Sequence, residues 1–315
     1  MPKLFVGPMS KNVVDAVLEF RETTGIDVGF IPSRRQIDYD GGYVNKWTTE
    51  TFSKYVGKRA IIERDHGGPE QGSVPDDGTI SFLEDAKYLD IIHVDPWKKY
   101  PAYQDGLRQT ILSINEINAK NPAVQFEVGT EEAIRPFNTE EFKTLLKDLK
   151  EGLTSEVFSK IKYAVVQSGV GLDLGKQKNT GTFSKNKLTS MVKTCKMFGV
   201  LSKEHNGDYL NRKDIEDRFI CGLDSINIAP EFGQIETLCY LEKIKNIDKW
   251  YNICFKSGKW KKWVTSDFIP ENNKETLIRI CGHYTFSSSD FLEIKKDIDK
   301  IVIDRIKTRL GEILL

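Results

Sequence analysis

Eight short apolar runs, each followed by an amphipathic stretch, predict an α/β fold of the (β/α)8 barrel type over residues 1–246. Helix-capping residues stand just ahead of several amphipathic stretches, which supports the division into units. Polar clusters rich in histidine and carboxylate follow several of the apolar runs, where barrels of this type keep their chemistry. A doubly wound open sheet is the competing arrangement of the same units.

The strand-like runs lie near Leu4–Val6, Asp27–Ile31, Ala60–Ile62, Ile91–Val94, Val124–Val128, Ala164–Gln167, Gly199–Leu201 and Leu223–Ile228. Between and after them come helix-like stretches near 11–22, 49–56, 80–88, 103–119, 139–151, 185–197, 212–219 and 232–244. Ser10, Thr48, Asn138 and Asn211 occupy N-cap positions, where a side-chain oxygen accepts from the first free amides of a helix. After residue 246 the chain turns aromatic and basic, with Trp250-Tyr251, Trp260-Lys261-Lys262-Trp263 and Ile278 to Tyr284, before a charged helix from about Ser289 to Gly311. Residues 247–315 read as a C-terminal helical and aromatic extension packed on the barrel, its tryptophans covering a helix face.

Composition narrows the function. Lys+Arg and Asp+Glu balance at 46 each in 315 residues, so no global field draws nucleic acid or an anionic membrane. No run approaches the length of a membrane span, and the N-terminal apolar run is too short for a signal peptide. Five cysteines, odd in number and without a C-x-x-C pair, argue for reduced thiols in a cytoplasmic protein and against a zinc ribbon. Glycine-rich nucleotide loops are absent.

The chain has four histidines, and three of them follow apolar runs. His66 lies in Arg64-Asp65-His66-Gly67-Gly68-Pro69, His93 in His93-Val94-Asp95, and His205 in His205-Asn206-Gly207-Asp208. In a parallel barrel these ends face one rim, which would gather Asp65, His66, His93, Asp95, Glu127, Glu131, Gln167, His205, Asp208 and Glu231. His93 and Asp95 share a strand face by the period of two. Adjacent residues on a regular strand face opposite ways, so Asp65 and His66 share a site only if the chain departs from strand geometry there. Convergent imidazoles and carboxylates suit a divalent transition metal, zinc first, with manganese, cobalt or nickel as alternatives. A single such histidine would more simply bond a nearby carbonyl; three beside carboxylates point to a site.

The loop after the second strand, Ser33-Arg34-Arg35-Gln36 through Gly41-Gly42-Tyr43, combines two planar guanidinium forks with glycine amides, a pattern that binds phosphate or carboxylate. Lys98, just past Asp95, is a further contact for a phosphate. A solvated charged loop is the alternative for this segment.

These motifs together resemble the family of the non-catalytic (Z) subunit of D-tagatose-1,6-bisphosphate aldolase, a (β/α)8 barrel related to class II, metal-dependent aldolases. Ser33 to Gln36 and Asp40 to Tyr43 are similar to its SNQ…FGGY loop, and Asp65-His66-Gly67-Gly68-Pro69 to its DHxGP. Ile92 to Asp95 resembles its IHLD, Gly129-Thr130-Glu131 its GTE, Val165 to Val170 its VVQPGV, and His205 to Tyr209 its HSTDYQ. Arg34 and Arg35 replace the family's asparagine and glutamine, Pro96 to Lys99 replace the residues after IHLD, and Glu132 to Arg135 replace its VPGG. The added cations favour an anionic substrate over a neutral hexulose.

The resemblance implies a metal-dependent class II-type aldolase acting on an anionic ketose or sugar phosphate through an enediolate. His66 and His205, with His93 or Glu131, would hold the metal; Asp65, Glu131 and Asp95 would handle protons. Ser33, Arg34, Arg35, Gln36, Gly42, Tyr43, Lys98, Gln167 and Asp208 would bind the carbohydrate. A ketose epimerase on the same site and a non-catalytic stabilising subunit of an aldolase complex are the alternatives, and a homo-oligomer is compatible with each.

Overall fold

The computed structural model describes residues 1–315. Eight parallel strands form one sheet: β1 (Leu4–Val6), β2 (Val28–Phe30), β3 (Glu63–Gly67), β4 (Ile91–Val94), β5 (Gln125–Val128), β6 (Ile161–Val166), β7 (Leu201–Glu204) and β8 (Ser225–Ile228). Their spatial order is β2-β1-β8-β7-β6-β5-β4-β3, so neighbours in sequence are neighbours in space and the first strand pairs with the last. Bridges Phe30–Ile62 and Ser33–Asp65 join the two remaining edges, with the amide of Asp65 donating to the Pro32 carbonyl at 3.0 Å. This is a nearly closed barrel and not an open doubly wound sheet.

Around it run α1 (Lys11–Thr24), α2 (Thr49–Val56), α3 (Thr79–Tyr88), α4 (Tyr103–Lys120), α5 (Thr139–Gly152), a single turn α6 (Ser155–Phe158), α7 (Lys185–Phe198), α8 (Arg212–Ile220) and α9 (Pro230–Leu241). The four expected caps form: Ser10, Thr48, Asn138 and Asn211 accept from the amides of Val13, Thr51, Glu141 and Asp214. Two strands lie away from their expected positions. Gly199 is the left-handed C-cap of α7 (φ 73°), which moves β7 to Leu201–Glu204. β3 begins after the apolar run Ala60–Ile62 and is itself charged. Its Arg64 is fully buried, with Nε and Nη2 donating to both oxygens of Asp85 at 2.7 and 2.6 Å and Nη1 to the carbonyls of Pro32 and Ile37. A charged strand reads as loop until its partners are known.

The extension contains α10 (Asp248–Ser257), α11 (Lys274–Cys281), a 3-10 turn (Gly282–Thr285), α12 (Ser289–Leu292) and α13 (Asp299–Leu314). The expected single helix from 289 to 311 is broken, because its two ends bury different anchors. Phe291 enters an aromatic cluster with Tyr240, Trp250 and Phe286, at centroid distances of 5.3, 5.0 and 5.3 Å. Val302, Ile306, Leu310 and Ile313 form the buried stripe of α13, which lies against α1, α9 and α8. α13 thereby fills the outer ring between α8 and α1. A small hairpin, Leu172–Asp173 with Lys178–Asn179, was not expected. No helix is long and apolar enough to cross a membrane.

Inside the barrel sits a buried ion cluster. The Lys203 ammonium donates to Glu63, lies 3.3 Å from Glu127 Oε2, and stands 4.1 Å from the ring centroids of both Phe5 and Tyr163. All three ionic side chains are fully buried. Replacing Lys203 with methionine leaves two carboxylates without their cation, and is expected to destabilise the fold by about 3–5 kcal/mol in urea unfolding. Adding Glu63→Gln and Glu127→Gln should recover part of that loss; a single Lys203→Met variant as stable as the parent would show that the cluster holds nothing together.

Candidate active site and metal centre

The histidines sit at the C-terminal ends of β3, β4 and β7, and their ring centroids lie 5.0, 5.0 and 5.1 Å apart. For His93 and His205 alternation along the strand is sufficient. His66 needs a local departure. Arg64 pairs with Ile92 and Gly67 with Val94, so β3 spends three residues where β4 spends two. The extra residue makes a bulge, and His66 takes φ 44° in the left-handed region. That conformation costs an L-residue on the order of 1–2 kcal/mol. Its effect is to let consecutive Asp65 and His66 both face the barrel mouth.

Three atoms converge there. His66 Nε2 and His205 Nδ1 are 3.3 Å apart, and Asp65 Oδ1 lies 3.6 Å from the first and 3.5 Å from the second. Ligands about 2.0–2.2 Å from one tetrahedral ion stand about 3.3–3.5 Å from each other. His93 joins the same group, all four ligand atoms lying within 4.8 Å of one another. The opposite ring nitrogens are engaged. His66 Nδ1 meets Asp95 Oδ2 at 2.5 Å, His205 Nε2 meets Glu127 Oε1 at 3.1 Å, and His93 Nε2 meets the Gly129 carbonyl at 3.0 Å, while His93 Nδ1 accepts from the His66 amide at 3.3 Å. Carboxylate and carbonyl partners behind the rings orient ligating imidazoles and raise their basicity. The donor set fits a divalent transition metal.

Electrostatics agree. Burial opposes a charge on His66, but the carboxylates of Asp65, Asp95 and Glu131 outweigh it and push the ring up to about 10. Positive charge is thus favoured at this point. Burial, reinforced by the nearby His66, holds His93 and His205 well below the usual imidazole range and therefore neutral, the form that ligates metal. Burial and the surrounding carboxylates push Asp65 up to about 6, against the pull of His66.

A cavity of about 220 Å³ opens over this corner, with Ser33, Arg35, Gln36, Tyr43, Asp65, His66 and Glu131 in its wall. Other predicted residues are turned to different work. Arg34 is 2% exposed and donates to Asp38 at 2.9 Å, to both oxygens of Asp76 at 2.8 and 2.5 Å, and to the Gly68 carbonyl, leaving no fork for a substrate. Gly42 gives room to the backbone: a Cβ there would stand 2.0 Å from the Gln36 carbonyl oxygen. Gln167 accepts from the Phe137 amide and donates to the carbonyls of Thr130 and Arg135, bracing the loop after β5. Asp208 accepts from the amides of Ala229 and Glu231 at the start of α9. Asp95 is fully buried behind His66, bonded also to Thr130 Oγ1 at 2.9 Å, so it orients the ring and does not reach the cavity. Lys98 donates to the Glu70 carbonyl at 2.6 Å and stands outside the cavity wall.

Sequence reasoning missed half of the wall. Lys262, Trp263, His283 and Tyr284 come from the extension and Asn206 from the loop after β7, where its amide donates to Glu131. The available signal was the fourth histidine inside an aromatic and basic segment; nothing local showed that this segment folds back over the mouth. Lys203 and Glu63, which support the corner from below, were also missed.

No family model matches the chain, and no curated protein matches it. Among solved structures it is similar to a probable tagatose 6 phosphate kinase from Sinorhizobium meliloti 1021, at 15% identity and TM-score 0.74, over 100% of this chain and 89% of that one. The YdjI aldolase from Escherichia coli K12 superposes at 11% identity and TM-score 0.60, covering 99% and 91% of the two chains. A fructose-bisphosphate aldolase from Campylobacter jejuni does so at 13% identity and TM-score 0.60, covering 99% and 89%. The likeness is one of fold, and it spans the extension as well as the barrel.

The two neighbouring arginines are expected to separate in experiment. Arg34→Met leaves Asp38 buried without its cation and should cost about 3–5 kcal/mol of stability, whereas Arg35→Met should stay within about 0.5 kcal/mol of the parent. Parallel denaturation curves measure both, and equal losses would remove the distinction between a structural and a cavity-facing arginine.

Proposed function

We propose that the protein is a metal-dependent carbon–carbon lyase of the class II aldolase type, acting on an anionic ketose or sugar phosphate. The observation that carries this reading is the convergence of His66 Nε2 and His205 Nδ1, 3.3 Å apart and within 4.8 Å of a ligand atom of His93, beside the Asp65 carboxylate of a cavity that also contains Arg35. His66, His205 and His93 would hold the ion, zinc being the first to test. Bound there, a divalent cation supplies Lewis-acid polarisation of a substrate carbonyl.

The chain's own groups do the rest. Asp65 lines the cavity with its side chain 22% exposed, and none of the site's donors bonds its carboxylate at hydrogen-bonding distance. It takes the proton of the hydroxyl on the carbon that becomes the new aldehyde. As that oxygen forms its carbonyl, the carbon–carbon bond breaks and its electron pair passes to the carbon beside the substrate ketone. Glu131, steadied by the Asn206 amide and partly open to solvent in the same cavity, delivers a proton drawn from water to that carbon, while Asp65 releases the one it took to water. Asp95 and Glu127 keep the two rings turned, by holding the nitrogens that face away.

Resemblance to the Z-subunit family also raises a purely stabilising role beside a separate aldolase. The completeness of the donor set supports the catalytic reading instead. Metal analysis and turnover of a panel of ketose phosphates, followed by NMR, test it. The parent protein is expected to carry about one divalent ion and to consume a member of the panel. His205→Ala should lose the ion; Asp65→Asn should keep it and turn over about a hundredfold more slowly or worse. A parent protein that binds no divalent ion sinks the proposal, and activity of Asp65→Asn restored by excess metal would reassign Asp65 as a ligand.

A further inference from the structure

We propose that Lys262 and His283 of the C-terminal extension, together with Arg35, form an oxyanion subsite that reads a phosphoryl group on the substrate end remote from the histidine corner. The identity of the substrate rests on the aldolase-type reading; the subsite itself rests on three features of the cavity wall.

The first is unspent positive charge. Arg34 is saturated by Asp38 and Asp76, but Arg35, its neighbour in the same loop, is half-buried with no carboxylate within ion-pair distance and no side-chain hydrogen bond. Lys262 is likewise without a carboxylate partner. Its ammonium stands 4.4 Å from the Trp263 ring centroid and 5.9 Å from that of Tyr284. Although its surface is exposed, desolvation and the cations of Arg35, Lys259 and Lys98 push it down to about 8. These positive groups crowd one another, and the Glu131 carboxylate across the cavity, beyond ion-pair distance, offsets Lys262 only in part.

The second feature is an imidazole without partners. His283 is 1% exposed, lines the same cavity, and leaves both ring nitrogens unbonded. Burial and the Lys262 charge hold it at about 3, so near neutrality it presents one N–H donor and one acceptor. Buried polar atoms are nearly always satisfied within a fold, and those left open inside a cavity mark where a ligand bonds. Room for this ring is provided by Gly233 of α9, where an added Cβ would come 2.9 Å from His283 Cβ. Tyr43 and Tyr284 fix its orientation, with centroids at 6.2 and 4.0 Å.

The third feature is polarity across a small space. Asp65, His66 and Glu131 contribute acid, imidazole and metal-binding atoms to the wall, and Arg35, Lys262 and His283 contribute cations and a neutral hydrogen-bonding ring. At about 220 Å³ the cavity is below the roughly 300–1,000 Å³ that drug-sized ligands occupy, which suits a short polar chain with a carbonyl at one end and an anion at the other. Two cations without an ion-pair partner, with Lys98 close by, match a phosphate dianion better than a carboxylate monoanion.

Calorimetric titration of the full-length protein with inorganic phosphate, in metal-loaded and metal-stripped forms and with acetate as the carboxylate comparison, tests the subsite apart from the chemistry. Phosphate is expected to bind both forms, at least tenfold more tightly than acetate. Arg35→Met and Lys262→Met should each weaken phosphate by about tenfold to a hundredfold, the range of a lost charge-assisted contact, with His283→Leu weakening it less. With a phosphorylated ketose the same variants should raise KM by more than they lower kcat, and by more than with its unphosphorylated counterpart. Phosphate affinity unchanged in both cation variants, or acetate bound as tightly as phosphate, overturns the subsite. Phosphate bound as expected while no ketose phosphate is consumed would overturn the aldolase reading and leave the subsite standing.

Discussion

The Lys203 ammonium inside the barrel is the constraint from which the site above it hangs. A lone cation at that depth would be untenable, so Glu63 and Glu127 must converge on it from β3 and β5. Glu127 then has one oxygen on Lys203 and the other on His205 Nε2, which fixes the tautomer and turn of that ring and presents Nδ1 to the mouth. The charge that holds the strands in register also aims the imidazole. Strand interior and reactive rim are one hydrogen-bonded column and not two layers.

His66 reaches the same point by the opposite route. No column from below supports it; a bulge and a left-handed backbone swing it inward, and Asp95 with Thr130 behind it holds the ring. The strain is local, and the stabilising partners lie just past the end of β4 and in the loop after β5. One imidazole is positioned by charge compensation across the barrel, the other by backbone distortion at its edge. Their free nitrogens nevertheless come within 3.3 Å, which neither arrangement would produce alone.

The alternation of apolar and amphipathic segments was legible because barrel strands and helices bury apolar faces of distinct period, and the caps Ser10, Thr48, Asn138 and Asn211 were legible because capping is a contact within four residues. The convergence of His66, His93 and His205 followed from strand order alone, and the departure from strand geometry at Asp65-His66 followed from the period of two. What could not be read depends on distant partners. Arg34 and Arg35 are chemically identical neighbours, and the positions that Asp38 and Asp76 take up in the fold, the second across a separate loop, decide which one is neutralised. Gln167 and Asp208 look like rim ligands until the amides they accept from are placed. β3 is charged and reads as the polar cluster after a strand, because its sequence carries no sign of the lysine facing it from the far side of the barrel.

The segment from α10 to α12 is tethered at both ends, by α9 on one side and by α13, seated in the outer ring, on the other. Within those tethers its loops and cavity-facing residues can drift without disturbing strand pairing, because it contributes no strand to the barrel and is held by its own buried anchors such as Trp250 and Phe291. Divergence among descendants of such a chain would therefore be unequal: the histidine corner is locked by register and buried charge, while the facing wall is free to be rewritten. A lineage could reshape that wall by editing one interposed stretch, keeping its histidine corner as inherited.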